Sequence, residues 1–153
     1  MSEPLSPTDK VRLAKEISDG VKRYIAIQNG LLKFSFAKAL GFRSSDPTAA
    51  ANAASDLRGE LSPLLDQLRA HELSDQFSIT LRGYLRQLLQ AMDVFLALCG
   101  RLAEARAAKD KAYLRKGGFK ADLEKLQEAE RAYLVLGAKL NELAAAEGLR
   151  KKN

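Results

Sequence analysis

The stretch from residue 74 to residue 102 limits the fold more than any other, because large apolar side chains recur in it every three or four residues. Its main apolar face consists of Phe77, Leu81, Leu85, Leu88, Met92, Phe95, Cys99 and Leu102, and this face is widened by Leu89, Leu96 and Leu98. Such spacing predicts an α-helix. A helix that is apolar over so much of its circumference is expected at the centre of a helical protein.

The N-terminal third of the chain contains a second helical pattern. Ser6, followed by a proline, is typical of a helix start, and apolar residues at helical spacing predict a helix over residues 7–28. Residues 24–36 are ambiguous, because Asn29-Gly30 between alternating apolar residues is also a β-hairpin signal. We favour a helix that breaks near Gly30, since an isolated hairpin is marginally stable in water.

A third helix is predicted after a short connector over residues 41–46. Asp46 is followed by a proline at the first helical position, and the apolar pattern continues over residues 47–71. Pro63 lies inside this pattern, so we expect it to kink the helix or divide it in two. Together with the scarcity of β-branched residues, these patterns predict an all-α protein.

The C-terminal part of the chain predicts a helical hairpin. Nothing breaks the central pattern before Gly117-Gly118, so the central helix is expected to reach residue 116 and the next helix to cover residues 119–147. Apolar residues alternate three and four apart in this last helix, as in a coiled-coil seam. They are Leu126, Ala129, Tyr133, Leu136, Leu140 and Leu143.

A turn at Gly117-Gly118 also predicts which residues meet across the hairpin. The expected pairs are Leu102 with Tyr133, Cys99 with Leu136, Phe95 with Leu140 and Met92 with Leu143. We therefore predict an antiparallel bundle of four to five helices. In chain order, helix 3 is the central helix from residue 74 and helix 4 covers residues 119–147, and these two form a long coiled-coil hairpin. Residues 1–153 are expected to be a single domain with frayed tails at residues 1–6 and 149–153.

The sequence predicts a cytoplasmic protein without integral membrane segments. No basic and apolar leader follows Met1, and no apolar run approaches the roughly 20 residues of a membrane-spanning helix. Cys99 is the single cysteine, which excludes an intramolecular disulfide and a multi-cysteine metal site.

Positive charge accumulates at two places, and the formal net charge is +6. One is the predicted tip of the helical hairpin, where Tyr113 is an aromatic that could stack on a base. The cations of the tip are Arg106, Lys109, Lys111, Arg115, Lys116 and Lys120. The other is helix 1 with its extension, where the cations are Lys10, Arg12, Lys15, Lys22, Arg23, Lys33, Lys38 and Arg43. These surfaces suit binding to phosphates or to an acidic partner. The alternative is that the charged side chains form ordinary solvated helix faces.

A cluster of aromatic and leucine side chains lies near residue 36. Phe34 and Phe36 are about 200° apart on a helix, so one neighbouring helix cannot cover both. We expect a partner-binding hydrophobic patch that includes Leu31, Phe34, Phe36 and Phe42, the alternative being a core helix covered on all sides.

The chain offers little for catalysis. His71 is the only histidine and is expected at a helix end, and Cys99 on its apolar face is expected to be an inert core residue. No phosphate-binding loop or zinc spacing is present, so we predict no enzyme activity, no metal and no cofactor.

These observations favour a non-enzymatic protein–protein interaction module, such as an adaptor, a chaperone or an assembly subunit. Its partner is another protein or a second copy of this chain. The alternative is a nucleic-acid-binding accessory protein that uses helix 1 and the hairpin tip against phosphates, with an affinity that falls steeply with salt.

Overall fold

The computed structural model describes residues 3–39 and 46–148, with side chains described outside residues 32–39. The prediction of an all-α bundle of four to five helices is confirmed, because all the elements are helices and they pack together. They are α1 (Pro7–Ala39), α2 (Pro47–Ala70), α3 (Gln76–Ala107), α4 (Lys111–Arg115) and α5 (Gly118–Ala146).

The predicted start of α1 is confirmed, and the β-hairpin alternative is wrong. The Ser6 hydroxyl accepts a hydrogen bond from the backbone N–H of Asp9 at 3.1 Å, which satisfies one of the free donors of the first turn. The helix then continues without a break through Asn29 and Gly30. Packing of the helix therefore outweighs the local turn preference of Asn29-Gly30, because the helical conformation buries Tyr24 and Leu31 in the core on either side of this dipeptide.

The helix α2 begins and ends at capping residues. The carboxylate of Asp46 accepts from the backbone N–H of Thr48 at 2.9 Å, and Pro47 occupies the first turn as predicted. Pro63 lies inside α2, which remains one helix. The next helix starts at Gln76, where Asp75 is the N-cap and accepts from the backbone N–H of Ser78 at 2.9 Å.

The prediction that the central helix reaches residue 116 is wrong, because α3 ends at Ala107. The backbone N–H of Asp110 donates to the carbonyl of Ala105 at 2.7 Å, and that of Lys109 donates to the carbonyl of Arg106 at 3.2 Å. This pair of bonds is a Schellman motif, which ends a helix with one residue in the left-handed conformation. That residue is Lys109, with φ 54°. Glycine usually occupies this position, so a lysine there gives no sequence signal of the helix end.

Replacing Lys109 by glycine is expected to raise the free energy of unfolding by about 0.5–1 kcal/mol, because glycine adopts a positive φ without the steric cost that a Cβ atom brings. Lys109→Val should lower it by at least about 1 kcal/mol, since a β-branched side chain tolerates this conformation least. Urea unfolding of the three proteins measures both differences. A glycine variant less stable than the parent would contradict the assignment of the motif.

The core is built around α3, which packs on both α2 and α5. The predicted pairs between α3 and α5 are wrong. Tyr133 packs edge-on against Tyr84, with ring centroids 5.7 Å apart, and not against Leu102. Similarly, Leu136 lies beside Gly83 and not beside Cys99. The physical reason is the early end of α3, since the ten residues between Ala107 and α5 form a separate turn and shift the register of the hairpin.

The N-terminal residues are tied to the junction between α2 and α3. The carbonyl of Glu3 accepts from the backbone N–H of Glu72 at 3.2 Å, and Leu5 is buried in the core. These contacts hold residues 3–5 against the core, while residues 1–2 and 149–153 of the expected tails lie outside the described part. Within the described residues, no helix combines the length and the apolar character needed to cross a membrane.

Candidate functional site

An apolar groove lies between α1 and α5. The two helices run antiparallel, because Lys10 of α1 meets Glu147 at the end of α5 while Gln28 of α1 meets Glu130 of α5. In the described residues, no Cα atom of α1 comes within 8 Å of one of α5. Packed helices normally have axes 8–10 Å apart. The helices therefore touch through long polar side chains at two places and leave an open space between them, which we call the α1–α5 groove.

The first polar link is formed by Lys10. Its Nζ lies 3.0 Å from the carboxylate of Asp75, the N-cap of α3, and 3.7 Å from that of Glu147. Burial alone would raise the pKa of Asp75, but hydrogen bonds from Ser78 and Lys10 outweigh it and lower that pKa. The link joins α1, α3 and α5 at one end of the groove.

The second polar link is a buried network. The Gln28 side-chain amide donates to the Glu130 carboxylate at 2.9 Å and to the Tyr24 hydroxyl at 3.1 Å. The Tyr133 hydroxyl donates to the same carboxylate at 3.3 Å. Burial, and next to it the charge of Glu130, raises the pKa values of both tyrosines, so their phenols remain protonated donors. This network closes the other end of the groove.

The groove has an apolar floor and walls that are mostly apolar. Its volume is about 560 Å³. The floor comes from α3, through Phe77, Leu81 and Tyr84. A Cβ atom at Gly137 of α5 would lie 3.0 Å from the ring of Tyr84, so the glycine allows α5 to pack closely on this floor. The walls are Ala14, Ile17, Ser18, Val21 and Lys22 of α1 and Leu134, Gly137, Ala138, Leu140, Asn141 and Ala144 of α5.

The charge of the groove is one-sided. Among the described lining residues, Lys22 is the one that carries a charge at neutral pH, and none carries a carboxylate. Lys15 lies seven residues earlier on α1, two turns away on the same face, and is exposed. The α1 wall is therefore apolar with a cationic rim.

Sequence reasoning missed this groove because it assigned one apolar stripe to α1. The structure separates that stripe into core residues, such as Leu13, Ile17 and Tyr24, and exposed residues, such as Val11 and Ile25. The exposed ones continue the groove-lining positions at intervals of three and four residues. A second such signal is Leu134, which is 55% exposed on α5 and lines the groove.

The predicted hydrophobic patch is placed only in part. Leu31 is 1% exposed and belongs to the core, so it does not lie on a free surface. Phe34 and Phe36 belong to α1, but their side chains lie outside the described residues, as does the whole of Phe42. Of the large apolar side chains that are exposed in the described residues, Leu134 lines the α1–α5 groove.

The cations predicted at the hairpin tip gather at a compact turn, which we call the α4 knuckle (residues 106–120). Arg106 is half-buried, while the other five are exposed. Among the described residues, no carboxylate lies within 4 Å of any of these five cations. They are Lys109, Lys111, Arg115, Lys116 and Lys120.

The α4 knuckle is held by a polar network beneath it. The Asp122 carboxylate accepts from the Tyr113 hydroxyl at 2.5 Å and from Arg101 Nε at 2.6 Å. The Tyr113 ring packs edge-on against Phe119, and a Cβ atom at Gly118 would lie 2.8 Å from that ring. Tyr113 thus faces the protein, and it does not offer the open stacking surface that the sequence suggested.

The two residues considered for catalysis, His71 and Cys99, lie at a helix end and in the core. His71 is the C-cap of α2, and its Nδ1 lies 3.0 Å from the carbonyl oxygen of Glu3. Cys99 is fully buried, and this burial raises the pKa of its thiol to about 12. In the part of the chain that the structure describes, no group of three histidine, cysteine or acidic side chains is placed to hold a metal ion.

Comparisons of the chain with protein-family models, with curated proteins and with solved structures find no match.

Proposed function

We propose that this chain is a non-enzymatic interaction module whose α1–α5 groove binds one amphipathic α-helix of a partner protein. The observation that carries the proposal is the open apolar space between two antiparallel helices that Lys10 and Gln28 link at its ends. Helix-in-groove binding is a common mode of recognition, in which apolar side chains three and four residues apart enter the groove. The residues of the chain then act as a single helical domain that presents this groove.

The length of the groove supports a helical occupant. The polar links at Lys10 and Gln28 are 18 residues apart on α1, which corresponds to about 27 Å along a helix. The lining residues extend from Ala14 to Lys22 on α1 and from Leu134 to Ala144 on α5, about 12–15 Å along each helix, so we expect two to three turns of the partner helix to lie in the groove. Apolar residues of α3 form the floor, so the occupant is expected to bury its apolar face against Leu81 and Tyr84.

The charge of the groove supports an acidic flank on that helix. Lys22 lines the α1 wall and Lys15 lies on the same face, whereas no carboxylate is present in the lining. Glutamates beside the apolar face of the partner would meet these two cations. Charge complementarity of this kind adds specificity and speeds association.

The same proposal includes coiled-coil packing of α3 against α5, which would make the floor and one wall of the groove a rigid unit. It is supported by the regular three-and-four spacing of Leu126, Ala129 and Tyr133, whose side chains are buried or half-buried against the core. A rigid wall lowers the entropic cost of binding a helix.

The test uses a fluorescent amphipathic peptide of about 18 residues, with leucines three and four apart and glutamates beside them. We expect fluorescence anisotropy to show saturable binding with a Kd in the micromolar range, on the order of −8 kcal/mol. Ala138→Trp, which fills the groove, should weaken binding at least about tenfold. Lys22→Glu should weaken it about fivefold and should improve binding of the same peptide with lysines in place of its glutamates.

Val135→Trp is the matched control, because Val135 is three residues from Ala138 on α5 and does not line the groove. It should leave binding unchanged. Equal effects of the two tryptophan variants would refute the groove as the site. If the peptide does not bind while a fluorescent fatty acid does, the occupant is a lipid and the proposal is wrong. A dimer in light scattering that Ala138→Trp dissociates would instead identify a second copy as the occupant.

A further inference from the structure

We infer that the α4 knuckle is a docking site for an anionic lipid surface, with Leu114 entering the interface between headgroups and acyl chains and the surrounding cations contacting lipid phosphates and carboxylates. This site is separate from the α1–α5 groove and does not depend on the function proposed for it.

The outward face of α4 carries the combination of groups that this requires. On a 3.6-residue period, Lys111, Leu114 and Arg115 share one face, and Tyr113 points to the opposite one. The contacts agree with this, because Tyr113 packs on Phe119 and donates to Asp122 beneath the turn. Leu114 is 49% exposed. A leucine at the centre of a cationic face is typical of peripheral membrane contacts.

The cations around Leu114 are available to a partner. Lys109, Lys111, Arg115, Lys116 and Lys120 are exposed, and within the described residues none of them has a carboxylate within 4 Å. Asp110, the acidic residue of this turn, is occupied as the N-cap of α4, where it accepts from the backbone N–H groups of Ala112 and Tyr113. The cations of the knuckle outnumber its one carboxylate, so its net charge is positive.

One of these cations occupies a position that disfavours it. Lys109 has φ 54°, a conformation in which glycine or asparagine is preferred. A strained residue that persists at a surface site is a reason to look for a function there. Retaining a lysine at this position adds one positive charge beside α4.

The same geometry argues against nucleic acid as the partner of this turn. Binding of single strands relies on aromatic side chains on which bases stack. Tyr113 is half-buried, with its hydroxyl bonded to Asp122 and its ring packed edge-on against Phe119. Contacts with phosphates do not involve an apolar side chain such as that of Leu114, whereas insertion of this side chain into the acyl region of a bilayer is favourable.

The test is sedimentation of the full chain with vesicles of phosphatidylcholine containing about 30% phosphatidylserine, compared with pure phosphatidylcholine, at about 0.05 M and 0.5 M salt. We expect binding to the anionic vesicles only, with a large loss at the higher salt concentration. Lys111→Glu with Arg115→Glu should lower the partition coefficient at least about 25-fold, and Leu114→Ser about fivefold.

The controls repeat these changes elsewhere on the surface. Arg131→Glu with Lys139→Glu reverses the same number of exposed charges on α5, and Val135→Ser removes an exposed apolar side chain there. Each should change vesicle binding less than about threefold. Ala138→Trp, which fills the groove, should not affect it, so failure of one proposal is distinguishable from failure of the other.

Three results would overturn the inference. They are no sedimentation with anionic vesicles at low salt, equal losses in the knuckle variants and their controls, and vesicle binding that ignores Leu114→Ser. If a DNA duplex or single strand binds and vesicles do not, the knuckle is a nucleic-acid site. If both bind and only vesicle binding depends on Leu114, the inference stands.

Discussion

Phe95→Ala is expected to lower the free energy of unfolding by about 4 kcal/mol, the largest effect that we predict for a single substitution. The Phe95 side chain is fully buried in α3, and its ring packs edge-on against Tyr24 of α1 with centroids 5.7 Å apart. Its removal leaves a cavity at the contact between these helices and also removes an aromatic pair worth about 1 kcal/mol. Urea unfolding followed by circular dichroism measures the loss.

Two further variants make this prediction specific. Phe95→Leu retains most of the buried volume and should cost less than half as much. Val135→Ala removes an apolar side chain that is 70% exposed and should change stability by no more than about 0.5 kcal/mol. A loss below about 2 kcal/mol for Phe95→Ala, with an unchanged urea dependence, would mean that the site collapses or that Tyr24 is not held there.

The central position of Phe95 illustrates which part of the fold could be predicted from sequence. An apolar face repeated over about seven turns of α3 is not open to another interpretation, and it indicates both the helix and its central place. Capping side chains before Pro7 and Pro47 likewise indicate helix starts, because they satisfy specific backbone donors. These signals are local, so the sequence contains all the information that they need.

The register between α3 and α5 could not be predicted, because it depends on where α3 ends. The Schellman motif at Lys109 lacks the glycine that normally marks it, and Asp110 is an N-cap inside a pattern that otherwise continues as helix. One unrecognised break therefore moved every predicted pair along the hairpin. Periodicity identifies the face of a helix but not the height at which it meets its neighbour.

The α1–α5 groove could not be predicted for a related reason. Its walls consist of residues that periodicity alone assigns to an ordinary buried face, such as Val21 on α1 and Leu140 on α5. Whether that face is covered depends on the spacing of two helices that are far apart in sequence. The spacing follows from the packing of both helices on α3 and from polar links at Lys10 and Gln28, and none of these appears as a motif.

The basic cluster, in contrast, could be predicted as a set of residues but not as a shape. Composition identified the cations of residues 106–120, whereas the early end of α3 turns an expected projecting hairpin into a compact knuckle. That compactness depends on Asp122, which is 7% exposed. The polar network of Asp122 is therefore the second point at which a single substitution should have a large effect.

Asp122→Ala is expected to lower the free energy of opening α4 by about 2 kcal/mol, because the variant lacks the polar network that holds α4 in its closed, docked state. The backbone N–H of Lys116 donates to the carbonyl of Ala112 at 2.8 Å, so its hydrogen exchange reports on α4 directly. Its protection factor should fall about 30-fold in the variant. Glu124→Ala, an exposed substitution on the same turn of α5, should leave it unchanged.

The stability of the closed state of α4 is expected to depend on pH, through Asp122 at acid pH and through Tyr113 at alkaline pH. Burial tends to raise the pKa of Asp122, but the hydrogen bonds from Arg101 and Tyr113 lower it below its ordinary value of 3.8. A group with a lowered pKa stabilises the folded state fully above the ordinary value and loses this contribution as the pH falls through the lowered one. Protection of Lys116 should therefore decline below about pH 4 more steeply in the parent than in Asp122→Ala, since the Asp110 carboxylate that caps α4 is present in both proteins.

The alkaline side has the opposite sign. Burial, and then the hydrogen bond to Asp122, raises the pKa of Tyr113 from 10.0 to about 12. A raised pKa stabilises the folded state fully below the ordinary value, and this contribution declines between these two values as the pH rises. Urea unfolding of the parent and of Tyr113→Phe should therefore converge in free energy above pH 10.0. Tyr24 and Tyr133 are present in both proteins and do not contribute to the difference between them. A difference in unfolding free energy that stays constant across this range would therefore show that the pKa of Tyr113 is not raised in the folded protein.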